Sequence, residues 1–119
     1  MATDKLFDSL SRILVPAEYL EDFEIVNIQE NSQEWIVELT EKEARIPVSL
    51  QGKDVVLDGY CNTVDLLTHA FSMKKIYLRL RRRRWKERGS SEHHSNQYDL
   101  HIACAKITPS LGAFLKDAL

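Results

Sequence analysis

The most regular segment of the chain is Lys74-Lys75-Ile76-Tyr77-Leu78-Arg79-Leu80-Arg81-Arg82-Arg83-Arg84-Trp85. Ile76, Leu78 and Leu80 alternate strictly with Tyr77, Arg79 and Arg81, the period of two that belongs to a β-strand with one apolar and one polar face. If the alternation runs on, Tyr77, Arg79, Arg81, Arg83 and Trp85 share a face, with successive same-face side chains about 6.6 Å apart. Arg82 and Arg84 then fall on the opposite face and continue past the aliphatic residues, so the distal end carries cations on both faces. Downstream, residues 89–96 are Gly-Ser-Ser-Glu-His-His-Ser-Asn, a polar loop, and Tyr98, Leu100, Ile102 and Cys104 resume the alternation. This pattern predicts a basic β-hairpin over about residues 74–106, its tip projecting from the core.

Upstream, Leu6, Phe7, Leu10, Ile13 and Leu14 lie at helical spacing behind the capping residue Thr3, which predicts an amphipathic helix over 4–14. Pro16 suits the first position of a brief helical turn. From Phe23 the period becomes two: Phe23 and Ile25, then Trp35, Val37 and Leu39, stand on either side of Glu30-Asn31-Ser32-Gln33 and predict a hairpin. Residues 41–62 are the least periodic, broken by Pro47, Gly52 and Gly59, with one short strand expected at 55–57. Residues 63–71 fit a helix as readily as a strand, and 72–75 read as a turn. Thr108 and Pro109 provide a cap and a first-turn proline for a closing helix in which Leu111, Phe114 and Leu115 share a face. The order predicts a single α+β domain over 1–119, mainly antiparallel sheet with a basic β-hairpin and a short helix at each end of the chain.

A chain of 119 residues, 44% hydrophobic and 29% charged, has room for one core and excludes a multidomain enzyme. The longest stretch without an Asp, Glu, Lys or Arg is residues 107–115, far short of the roughly 20 residues a membrane-spanning helix needs. With no secretory pattern in Met1-Ala2-Thr3-Asp4-Lys5, a cytoplasmic location and no membrane partner are expected. The formal net charge of −2 hides a polar split. Residues 1–73 hold five Lys/Arg against fourteen Asp/Glu, a net −9, and residues 74–119 hold eleven against four, a net +7. Such a cluster of cations attracts a polyanion or an acidic partner, or is neutralised by the acidic half of the same chain or of a second copy.

Chemistry-bearing patterns are sparse. No P-loop and no Gly-x-Gly-x-x-Gly occurs, and no Lys has an acid two positions before it, as a restriction-type nuclease core requires. His101 and Cys104 point to opposite faces of an extended strand, and the His93-His94 pair lacks ligand partners at metal-binding spacing. Cys61 and Cys104 read as reduced thiols, and neither has the basic surroundings of an activated nucleophile. Asp54, Asp58 and Asp65 are the carboxylates a two-metal nuclease would use, and they fit turn and surface positions better. No catalytic residue, metal or cofactor is expected.

What remains is a strand able to hold nucleic acid, since Arg forks onto phosphate or onto a guanine edge and Tyr and Trp stack on bases or sugars. The expected contact set is Lys74, Lys75, Tyr77, Arg79, Arg81, Arg82, Arg83, Arg84, Trp85, Lys86 and Arg88. The run from Lys74 to Trp85, the Tyr-Asp-Leu strand at 98–100 and the ending Ala113-Phe114-Leu115-Lys116 resemble the N-terminal region of split bacterial insertion-sequence transposases. Lys5-Leu6-Phe7, Leu14-Val15-Pro16 and residues 19–26 are similar to that family's opening pattern. The resemblance implies a noncatalytic role in transposition, gripping transposon-end duplex DNA, with the acid-triad catalytic domain on a partner polypeptide. A protein-interaction module, its basic hairpin docked on an acidic partner, on the catalytic subunit or on its own acidic half in a homodimer, is the alternative, and a basic sheet with aromatics also suits RNA.

Overall fold

The computed structural model describes residues 9, 11, 13–71, 73–98, 108, 109, 111 and 115. In chain order these form a helical turn α1 (Ala17–Leu20), strands β1 (Phe23–Glu30) and β2 (Glu34–Glu41), a 3₁₀ turn (Val48–Leu50), and strands β3 (Val55–Tyr60), β4 (Val64–Phe71), β5 (Lys74–Arg81) and β6 (Arg83–Glu87). Two sheets result: β1-β2-β5-β4 and the two-stranded β3-β6. All pairings are antiparallel except β2 with β5, which run parallel from Glu34 opposite Lys75 to Thr40 opposite Arg81.

Local chemistry explains the turns of the two hairpins in the four-stranded sheet. Asn31 Oδ1 accepts from the backbone N–H of Gln33 at 2.8 Å and of Glu34 at 2.9 Å, the side-chain turn that closes the β1–β2 hairpin. The β4–β5 hairpin turns through Met73, whose φ of 67° is left-handed and whose side chain stands in solvent, where the strained backbone meets no packing conflict. The alternating faces of β2 and β5 put Val37, Leu39, Ile76, Leu78 and Leu80 on the buried side, joined by Phe23, Leu66, Leu14, Val15 and Tyr19. None of these is more than 4% exposed. The Tyr98 ring closes the cluster, 5.2 Å from Phe23 between centroids.

Several sequence expectations change. Residues 63–71, ambiguous in sequence, hold strand β4, and the 55–57 strand extends to Tyr60. Within the hairpin expected over 74–106, β5 does not pair with a return strand, because β2 occupies one of its edges and β4 the other. Nor does the arginine run project as one strand. It breaks at Arg82, and β6 crosses to pair with β3, where Leu57 faces Trp85, Tyr60 faces Arg83, and Asp58-Gly59 bulge out opposite Arg84. Of the expected return, a single bridge between Trp85 and His94 is present among the described residues. The sheet is mainly antiparallel as expected, with one parallel pair at its centre. Ser9, Ser11, Ile13 and Leu14, and Pro109, Leu111 and Leu115, have helical backbone, but the two terminal helices fall largely outside the described residues, as do Leu100, Ile102 and Cys104. Among the described residues no helix is long and apolar enough to cross a membrane.

Leu78, on the central strand and 0% exposed, is the sharpest test of this core. Leu78→Ala is expected to lower the unfolding free energy by about 3 kcal/mol. Val48→Ala, at a position 84% exposed, stays within about 0.5 kcal/mol of the wild type. Urea titrations followed by circular dichroism measure both.

Candidate nucleic-acid interface

The outward face of β5 is a lattice of cross-strand pairs. Register sets Glu38 and Asp65 on either side of Arg79, and Thr40 beside Arg81. Arg79 forks onto Asp65 at 2.9 and 3.2 Å with Glu38 3.7 Å away, and the Asp65 hydrogen bond, ahead of its charge, raises the guanidinium pKa further. On the other face, at the rim of the core, Lys74 reaches Glu30 at 2.7 Å and lies over the Trp35 ring. Arg81 donates to Thr40 Oγ1 at 3.2 Å, and its guanidinium stacks 3.9 Å above the Tyr60 ring. Tyr77 shares the outward face with Arg79 and Arg81, half-buried. These side chains hold neighbouring strands in register, each exposed ion pair contributing at most about 1 kcal/mol.

Beyond the break at Arg82, the odd-numbered residues turn inward. Arg83 is 8% exposed: its backbone N–H donates to Glu41 Oε1 at 2.9 Å and its Nε to the Glu41 carbonyl at 2.8 Å. Glu41 itself is fully buried and also accepts from Asn96 Nδ2 at 3.0 Å and from the Tyr98 hydroxyl through a short hydrogen bond. Trp85 is buried too, and its indole Nε1–H meets no acceptor among the described residues. Arg83 and Trp85, expected on the contact face, are therefore structural. Glu41 was not singled out in sequence, although the period Trp35, Val37, Leu39 carries on to it and places it on the core face.

The even-numbered residues face outward instead. Arg82 donates to the Asn96 carbonyl at 2.9 Å. Arg84 donates from Nε to the Asp58 carbonyl at 2.7 Å, with the Asp58 carboxylate 4.0 Å away and engaged with His93. Lys86 is half-exposed on the same face. Arg88, past the strand, pairs with Asp54 at 2.8 Å. Of the nine cations between 74 and 88, Lys74, Arg79, Arg84 and Arg88 have a carboxylate within ion-pair distance, whereas Lys75, Arg81, Arg82, Arg83 and Lys86 have none among the described residues. Asp54, Asp58 and Asp65 serve three different cations and are not gathered into a site, and no group of three metal-ligating side chains occurs among the described residues.

Two predictions rest on these contacts, and the first separates structural from surface cations. Arg83→Ala removes the donor to the Glu41 carbonyl and is expected to cost about 2 kcal/mol of stability, whereas Lys86→Ala changes it by less than about 0.5 kcal/mol. Denaturant midpoints decide. The second concerns alkali. Burial above all, then the Glu41 hydrogen bond for Tyr98 and Glu18 for Tyr19, raises both phenols well above their ordinary 10.0. The folded state thus favours the neutral phenol. The stability these groups contribute is complete below pH 10 and is lost as pH rises through and beyond it, where the unfolded chain ionises first. Tyr98→Phe should flatten that decline in urea titrations at stepped pH.

Comparison of the chain with protein families, with curated proteins and with solved structures finds no match.

Proposed function

We propose that this chain is a noncatalytic DNA-binding region of a bacterial transposase, acting in the cytoplasm and leaving strand transfer to a partner polypeptide. The observation that carries the reading is the outward set Arg82, Arg84 and Lys86 at and beyond the crossover, with Lys75 exposed separately near the start of β5, in a protein whose net charge is −2. Alternate residues of a strand stand about 6.6 Å apart, close to the spacing of phosphates along a DNA strand. Each phosphate neutralised releases condensed counterions, so a short row of cations supplies much of the affinity and makes it salt-dependent. The resemblance to split insertion-sequence transposases supplies the biological setting.

The pairing of this surface with carboxylates favours a second reading. Arg79 with Asp65, Arg84 with Asp58 and Arg88 with Asp54 already mate cation to acid, as an acidic protein partner or a second copy would do. The two readings separate in one titration. A labelled random-sequence duplex, followed by fluorescence anisotropy at several salt concentrations, should bind with a log–log slope of several phosphates, and more tightly than polyglutamate. Arg82→Gln with Lys86→Gln should lower the slope by about two. A duplex that fails to bind at low salt, with polyglutamate bound, selects the protein-interaction reading.

A further inference from the structure

The β3–β6 ribbon offers more than charge. It is a two-stranded antiparallel element paired separately from the four-stranded sheet, its β6 edge bridged at Trp85 by His94, and one of its faces carries Arg84 and Lys86, with Arg82 just ahead of the strand. A two-stranded ribbon is of a width that a duplex major groove admits. Arg84 lies mid-ribbon, opposite the Asp58-Gly59 bulge, where strand twist increases. Its Nε is anchored on the Asp58 carbonyl at 2.7 Å. Gly59, at φ 80°, lets the guanidinium lie close: a Cβ there would stand 3.2 Å from Arg84 Nη2. The side chain is nonetheless 43% exposed. An arginine fixed through Nε keeps its two terminal nitrogens as a planar fork, the donor pair that matches guanine O6 and N7. The neighbouring cations differ. Lys86 is a point charge on a flexible stem, suited to phosphate, and Arg82 is tied at the junction of the sheets by Nη1 to Asn96.

Resting on the DNA-binding reading above, we infer that the β3–β6 ribbon enters the major groove and that Arg84 reads the O6/N7 edge of one guanine, while Arg82 and Lys86 hold phosphates. Arg84 is thus a specificity residue and its neighbours are affinity residues.

Binding the full-length protein to a pool of duplexes with a randomised core, followed by sequencing of the bound fraction, tests this. The wild type should enrich a G·C pair at one fixed position. Arg84→Lys retains the charge and loses the fork, so it should lose about tenfold in preference at that position and keep its affinity for unselected duplex. Lys86→Gln should weaken binding to all duplexes and leave the preference intact. As a measurement independent of any variant's folding, 7-deazaguanine at the enriched position removes the N7 acceptor and should weaken the wild type on that duplex. Wild-type binding without an enriched G·C pair, a preference that survives in Arg84→Lys, or indifference to 7-deazaguanine overturns the inference and leaves DNA binding standing. Failure to bind any duplex overturns the DNA-binding reading itself.

Discussion

A fully buried carboxyl group ties the two sheets together. Glu41 ends β2 on its core-facing side and is met there by the Arg83 backbone N–H, the Asn96 amide and the Tyr98 hydroxyl. Taking such a group out of water costs several kcal/mol unless donors replace the lost hydration. Three donors from two places in the chain do so, and each must be in position for the others to be useful. The requirement fixes where β5 stops, where β6 begins and where the segment returning through Asn96 and Tyr98 lies. Arg83 completes the arrangement by bonding the carbonyl of the same glutamate. The outward pose of Arg82 and Arg84 is the complement of this inward pull on Arg83.

That coupling also explains what the sequence revealed and what it hid. Alternation identified the buried residues of β5 correctly, since Ile76, Leu78 and Leu80 are at most 1% exposed, and the Asn31 turn was legible because its side chain forms it. Periodicity reports the face of a residue and not the neighbour of a strand, so the parallel partnership of β5 with β2, made across a long stretch of chain, left no local mark. The arginines misled for a related reason. Parity is conserved only along an unbroken strand. At Arg82 the chain leaves one sheet for another, and odd-numbered residues that faced solvent in β5 face the interior in β6. Five arginines in six positions hide such a break, as nothing in residue type separates Arg83 from its neighbours. Gly59, counted in sequence as a breaker, proves to be a bulge inside a strand.

The charge separation along the chain is partly erased in space. Acids from the first part of the sequence meet cations of the second at Glu30–Lys74, Asp65–Arg79, Asp58–Arg84 and Asp54–Arg88. Exposed pairs of this kind stabilise little, but they penalise a slipped strand by bringing like charges together. Residual positive charge therefore stays on the surface cations that meet no carboxylate among the described residues, of which Arg82 lies at the crossover and Lys86 on the outer face of β6. The surface available to a polyanion is smaller than the cation count suggests, and better defined.

The parallel pairing of β2 with β5 also has a consequence for synthesis. Its partners, such as Glu34 and Lys75, lie about forty residues apart, so the contact is among the slow ones to form and waits on loop closure. A chain emerging from the ribosome can make the β1–β2 hairpin early, but that hairpin keeps one edge of β2 and its apolar face open until residues through Arg81 have appeared. An open, apolar strand edge is a template for pairing with other chains. Fragments that end within the β3–β4 region carry this edge permanently, and the protein's solubility therefore depends on the arrival of the same segment that presents its arginines.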